Sequence, residues 1–139
     1  MHTIQPSRLL KAVLLLDAAA SGAIATAHLL LPGVLHETLG LPPALLSGTG
    51  IFLALYVLML VVLAQSRALW HPLVLFVIVG NVGWTAASLA LLATGAVATT
   101  GLGTAYVIAQ ALGVLGFALL QYRGLAQSPR AAGSPVAVA

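Results

Sequence analysis

Four runs of apolar residues, each about 20 long and separated by short breaks, constrain this chain more than any other feature, because about 20 apolar residues is what a helix needs to cross a hydrocarbon core roughly 30 Å thick. The runs cover residues 9–31, 45–64, 72–93 and 102–122. None alternates apolar with polar residues as a barrel strand does, and in lipid the backbone must satisfy its own hydrogen bonds, so each run predicts a helix. The fold class expected is therefore all-α: a polytopic membrane protein built as a four-helix bundle.

Composition agrees. Of 139 residues, 61% are hydrophobic and 5% charged, with five Lys or Arg and two Asp or Glu. A soluble domain carries about 25% charged residues, so a soluble enzyme is excluded. Disorder is excluded because the apolar content is high and the net charge is only +3. The basic residues are scattered and make no nucleic-acid patch. There is no cysteine, which removes disulfide, thiolate and iron–sulfur chemistry.

Punctuation between the runs sets the boundaries. Pro32, Gly33, Gly40, Pro42 and Pro43 stop the first helix, with residues 34–39 suited to one interfacial turn. Pro72 suits the first turn of the third helix, after His71. Residues 94–101 are small and uncharged. The segment 126–139, rich in Ala, Pro, Ser and Gly, is expected to be a disordered tail. Arg8, Lys11, Arg67, Arg123 and Arg130 all fall on one side of the four spans, and the other two loops hold no Lys or Arg. This predicts cytoplasmic termini by the positive-inside rule, with Trp70 and Tyr122 at that interface. A competing pattern is a secretory signal, with Ala25-Thr26-Ala27 as the cleavage site; Asp17 interrupts its apolar region and Leu29-Leu30-Leu31 continues beyond the cut.

Two self-similarities suggest tandem hairpins related by a pseudo-twofold axis along the membrane normal. Gln65 and Arg67 close the second span as Gln121 and Arg123 close the fourth, and Asp17 and Ser21 are spaced as Asn81 and Thr85 are. The alternative is chance matching within Leu/Ala/Gly-rich sequence. Small residues four apart (Ala18, Gly22 and Thr26; Gly83 and Ala87; Ala105, Ala109 and Gly113) are expected to serve close packing inside the bundle, with a dimer face as the other use.

The intramembrane polar residues are the candidate site. On a 100° wheel Asp17, Ser21 and His28 share one face of the first span. Asn81, Thr85 and Ser88 share one face of the third, and Tyr106, Gln110 and Gln121 one face of the fourth. Tyr56 is the one sizeable polar group in the middle of the second. At 1.5 Å per residue, Asp17, Tyr56, Asn81 and Gln110 all lie roughly 12–18 Å deep. An Asp at mid-membrane costs about 2.5–3.5 kcal/mol on insertion scales, which is recovered only by facing inward to partners. The expected cluster is Asp17, Ser21, Tyr56, Asn81, Thr85 and Gln110, acting either as a hydrogen-bonded clamp or as a proton-coupled site. His28, His36 and Glu37 have no metal-ligand spacing, and His28 and His71 fall at opposite ends, so neither a metal nor a haem is expected.

Three motifs carry a resemblance: Leu14-Leu15-Leu16-Asp17-Ala18-Ala19-Ala20-Ser21-Gly22, then Gly80-Asn81-Val82-Gly83-Trp84 followed by Ala87-Ser88-Leu89-Ala90-Leu91-Leu92, and Leu102-Gly103-Thr104-Ala105-Tyr106-Val107-Ile108-Ala109-Gln110. Together they resemble a group of small uncharacterised four-helix bacterial inner-membrane proteins, which implies that location and no particular activity. In size and span count the chain is similar to DoxX-like proteins. In carrying an acid in the first of four spans it resembles small multidrug resistance transporters, though with Asp17 where they have Glu and with a strong charge bias where theirs is near neutral. No enzyme motif is present. The expected function is that of an integral inner-membrane structural or accessory protein, or a binder of a lipid-like ligand. The alternative is a small proton-coupled transporter using Asp17. Expected partners are the lipid bilayer and a membrane protein or second copy of the chain, with no cofactor and no nucleic acid.

Overall fold

The computed structural model describes residues 3–131. Its elements run β1 (Thr3–Ile4), α1 (Arg8–Leu30), α2 (Pro32–Leu39), α3 (Pro43–Gln65), β2 (Leu69–Trp70), α4 (His71–Ala93) and α5 (Gly101–Ala126). Four of them, α1, α3, α4 and α5, are long and apolar enough to span a membrane, the architecture of a multi-pass membrane protein. The short α2 fills the first break. Pro sits in the first turn of α2, α3 and α4, where a missing N–H leaves nothing unpaired.

Capping fixes where α1 and α5 begin. The Ser7 hydroxyl accepts from the Leu10 amide at 3.1 Å and donates to the Gly124 carbonyl at 2.8 Å, so one cap also ties α1 to the end of α5. The Thr100 hydroxyl accepts from the Gly103 amide and donates to the Thr38 carbonyl, tying the start of α5 to α2. Both ends of α5 are therefore anchored to other elements.

The hairpins pack as α1 on α3 and α4 on α5, and the two halves join through α1 and α5. The equivalent seam between α3 and α4 is held by side chains with sparse backbone approach, so one seam is closed and the other open, and a pseudo-twofold would be imperfect at this point. Two glycines make the closed contacts possible. A Cβ on Gly124 would lie 2.8 Å from the Leu10 backbone, and one on Gly103 would overlap the Leu39 carbonyl. The small-residue strips divide. Ala18 is buried and Gly22 lies against Val57, and Ala87 lies in a cavity wall, whereas Thr26, Gly83, Ala105, Ala109 and Gly113 are exposed on the outside of the bundle. The packing role expected of those five is filled by Gly103 and Gly124.

The buried apolar core, with Leu10, Leu14, Leu60, Val74 and Ala118 at its centre, fills the half of the bundle nearer Arg8, Arg67 and Arg123, here the basic end. A smaller cluster around Leu39, Leu41, Leu46 and Val107 closes the opposite, neutral end. Leu15, Leu55, Leu58, Phe76 and Val79 are among the large side chains left outward, which in a bilayer is ordinary lipid contact. Composition predicts a disordered tail from residue 126. Instead Ala126 ends α5, and residues 127–131 run back along the amino-terminal segment: Gln5 N–H donates to Pro129 O, Ala131 N–H to Thr3 O, and Ile4 pairs with Arg130. β1 pairs on its other side with β2, Thr3 opposite Trp70. The rest of the expected tail, 132–139, lies outside the described residues.

Candidate functional site: a carboxyl cluster and two cavities

Asp17 is completely buried, and its four hydrogen-bond partners, drawn from all four long helices, are uncharged. Ser21, one turn on in α1, donates to Oδ1 at 3.0 Å. Three donors converge on Oδ2: the Tyr56 hydroxyl of α3 at 2.9 Å, Asn81 Nδ2 of α4 at 3.0 Å and Gln121 Nε2 of α5 at 2.8 Å. Asn81 Nδ2 also donates to Gln121 Oε1, and the Tyr56 hydroxyl lies 2.9 Å from Asn81 Oδ1. A carboxyl set among so many donors has its desolvation offset by hydrogen bonding, which an isolated buried acid lacks.

Of the expected cluster, Asp17, Ser21, Tyr56 and Asn81 come together. Thr85 and Gln110 do not join it. The Thr85 hydroxyl is 3.1 Å from the carbonyls of both Asn81 and Ala111, so it stitches α4 to α5. Gln110 is too near the neutral end: its Oε1 accepts from Trp84 Nε1 at 3.2 Å and its Nε2 donates to Ser88 at 3.2 Å. Gln121 takes the fourth-helix position. Depth counted from a span ending at residue 122 puts it beside Tyr122, near the interface. In the structure α5 runs on to Ala126, and the close approach of Gly124 to Leu10 carries Gln121 inward to full burial. It shares the wheel face of Gln110, and that was the available signal.

A second polar group lies toward the neutral end. His28 joins Thr49 of α3 through Nδ1 at 2.9 Å and Tyr106 of α5 through Nε2 at 2.8 Å. The Thr49 hydroxyl is also 2.8 Å from the Leu45 carbonyl, which can only accept. With the Thr49 hydrogen directed there, His28 Nδ1 carries the ring hydrogen and Nε2 accepts from Tyr106; with the Thr49 hydrogen on Nδ1, the roles reverse. His36 bonds elsewhere, to the Leu41 carbonyl, so the two imidazoles do not converge.

Two cavities flank Trp84 and Gln110, which line both. The larger, about 200 Å³, is bounded by His28, Tyr106, Thr49 and Ser88 together with Leu side chains of α3 and α4. The smaller, about 90 Å³, lies at the α3–α4 seam and is bounded by Ser21, Tyr56, Asn81 and Gly80 with Phe52 and Phe76. Phe52 stacks on Trp84 with centroids 5.6 Å apart, bridging the seam where the backbones stand apart. The chain matches no protein-family model, no curated protein and no solved structure.

Proposed function

We propose that the protein is an integral membrane binding module for a small lipid-like amphiphile, without catalytic chemistry of its own. The larger cavity carries this reading. At about 200 Å³ it exceeds an engineered apolar cavity of roughly 150 Å³ that takes up benzene. It combines an apolar wall with a few fixed polar groups, as small-molecule sites do. Within it the Tyr106 hydroxyl makes one hydrogen bond, to His28, and has capacity for another, and Gln110 Nε2 has a second hydrogen to donate. A neutral headgroup bearing a hydroxyl or carbonyl is matched there, with its chain leaving along the α3–α4 seam. The basic residues at the end carrying the termini support placing the protein in a bacterial inner membrane with both termini cytoplasmic, and the motif resemblance supports the same location. The exposed helix faces support a bilayer environment and a membrane-protein partner or second copy.

The test uses the two tryptophans. Trp70→Phe leaves Trp84 as the only one, in the wall of the cavity. A monoacylglycerol brominated along its chain is expected to quench it saturably, and Ala87→Leu, which projects into the cavity, is expected to weaken that binding about tenfold, ~1.4 kcal/mol. Quenching that rises linearly with probe and ignores Ala87→Leu would mean that Trp84 merely meets bulk lipid. A second reading, a proton-coupled transporter using Asp17, is favoured by one observation: Tyr56, Asn81 and Ser21, all in the carboxyl cluster, also wall the smaller cavity.

A further inference from the structure

The hydrogens around Asp17 have two complete arrangements on one set of heavy atoms. Tyr56 has a single hydroxyl hydrogen and two oxygen acceptors at 2.9 Å, Asp17 Oδ2 and Asn81 Oδ1. With Asp17 ionised, that hydrogen points to Oδ2, and the carboxylate receives Tyr56, Asn81, Gln121 and Ser21. With one proton added to Oδ2, the acid donates to the Tyr56 oxygen and the Tyr56 hydrogen turns to Asn81 Oδ1. Each oxygen–oxygen contact then holds one hydrogen. Among the described residues, no ionisable group other than Tyr56 faces the carboxyl. From α3 comes Tyr56, from α4 and α5 come the amides of Asn81 and Gln121, and from α1 comes Ser21. Lys11 lies toward the basic end on α1, and Arg67 and Arg123 are exposed.

The surroundings of the cluster differ toward its two ends. Toward the basic end Leu10, Leu14, Leu60 and Val74 have no exposure at all and pack in one core. On its other side is the smaller cavity, and beyond Trp84 and Gln110 the larger one. Asp17 does not line the smaller cavity, but Tyr56 and Ser21 do, and both hydroxyls bond its carboxyl. A cavity of about 90 Å³ with several polar partners is large enough to admit water.

We infer that Asp17 is an exchangeable proton site, loaded and emptied through the hydroxyls of Tyr56 and Ser21 from the smaller cavity and closed toward the basic end. In loading, hydronium in the cavity gives a proton to the Tyr56 oxygen while Tyr56 passes its own to Asp17 Oδ2. The products are water, an unchanged phenol and a neutral carboxylic acid. Emptying is the reverse. The inference is independent of what fills the larger cavity.

Infrared spectroscopy tests it directly, because Asp17 and Glu37 are the only acidic side chains. In reconstituted Glu37→Gln protein, one carboxylic C=O band beyond that of the terminal carboxyl is expected to appear and vanish reversibly with pH, to shift in D2O, and to be missing from Glu37→Gln/Asp17→Asn, which keeps only the terminal band. A Cβ on Gly80 meets nothing within 4 Å, so Gly80→Leu has room to enter the cavity. It is expected to slow the D2O shift at least tenfold, as is Tyr56→Phe/Ser21→Ala. A band absent at every pH at which the protein stays folded, or present and unchanging throughout, would overturn the exchangeable site. Exchange that neither the cavity-filling variant nor the double variant slows would overturn the route.

Discussion

Gln121 and Gln110 share one face of α5 but have unlike tasks. Gln121 is fully buried and bonds both Asp17 and Asn81, so Gln121→Leu removes one donor from the carboxyl and one acceptor from the amide. The carboxyl keeps Tyr56 and Asn81, and the Asn81 amide keeps Asp17, so the loss is that of two hydrogen bonds, and about 1–3 kcal/mol in total is expected in reversible unfolding in bicelles. Gln110 is half-buried beside a cavity and bonds Trp84 and Ser88 weakly, at 3.2 Å each. Interhelical hydrogen bonds in membranes average about 0.6 kcal/mol, so Gln110→Leu is expected to cost less than ~1 kcal/mol while weakening amphiphile binding. Equal losses from the two variants would mean that the division between cluster and cavity is wrong. This pair also marks what periodicity leaves open. A helical wheel gives the face a residue occupies and its distance along the helix. It does not give how far one helix slides against the next, and that sliding puts Gln121, not Gln110, beside Asp17.

Among the elements, the long helices were legible because bilayer thickness sets their length and Pro sets their starts. Expected spans 9–31, 45–64, 72–93 and 102–122 became Arg8–Leu30, Pro43–Gln65, His71–Ala93 and Gly101–Ala126. The extension of α5 and the pairing of residues 3–5 with 129–131 were hidden, since both depend on tertiary contact between polar, small-residue segments without periodicity. The anchoring of α5 at its two ends yields a prediction. Ser7→Ala and Thr100→Val each remove an N-cap that also bonds another element. Each is expected to lower stability by about 0.5–2 kcal/mol. Because the sites lie at opposite ends of the bundle, the double variant should be additive within about 0.5 kcal/mol. Marked non-additivity would show that the two ends do not unfold as independent anchors. Gly103→Ala is expected to be worse than either, because its Cβ meets backbone at Leu39, which cannot rotate away.

At the scale of the whole molecule, the bundle has one closed seam and one open seam, a core weighted to the basic end and cavities weighted to the neutral end. The proposed binding and proton exchange draw on that asymmetry more than on the Asp17 cluster alone. Reporter fusions test its placement in the membrane: a fluorescent protein at the carboxyl terminus is expected to fold and emit in cells, and an export-dependent phosphatase there to remain inactive.

Asp17 turns inward to Tyr56, Asn81 and Gln121, and the sign of one stability change tests that. Asp17→Leu removes the acceptor on which all three converge. Against wild-type protein in the same bicelles, it is expected to lower unfolding free energy by at least about 2 kcal/mol, while Asp17→Asn, which keeps an oxygen acceptor there, is expected to stay within about 1 kcal/mol. A carboxyl facing lipid would give the contrary result, with Asp17→Leu leaving stability unchanged or raising it.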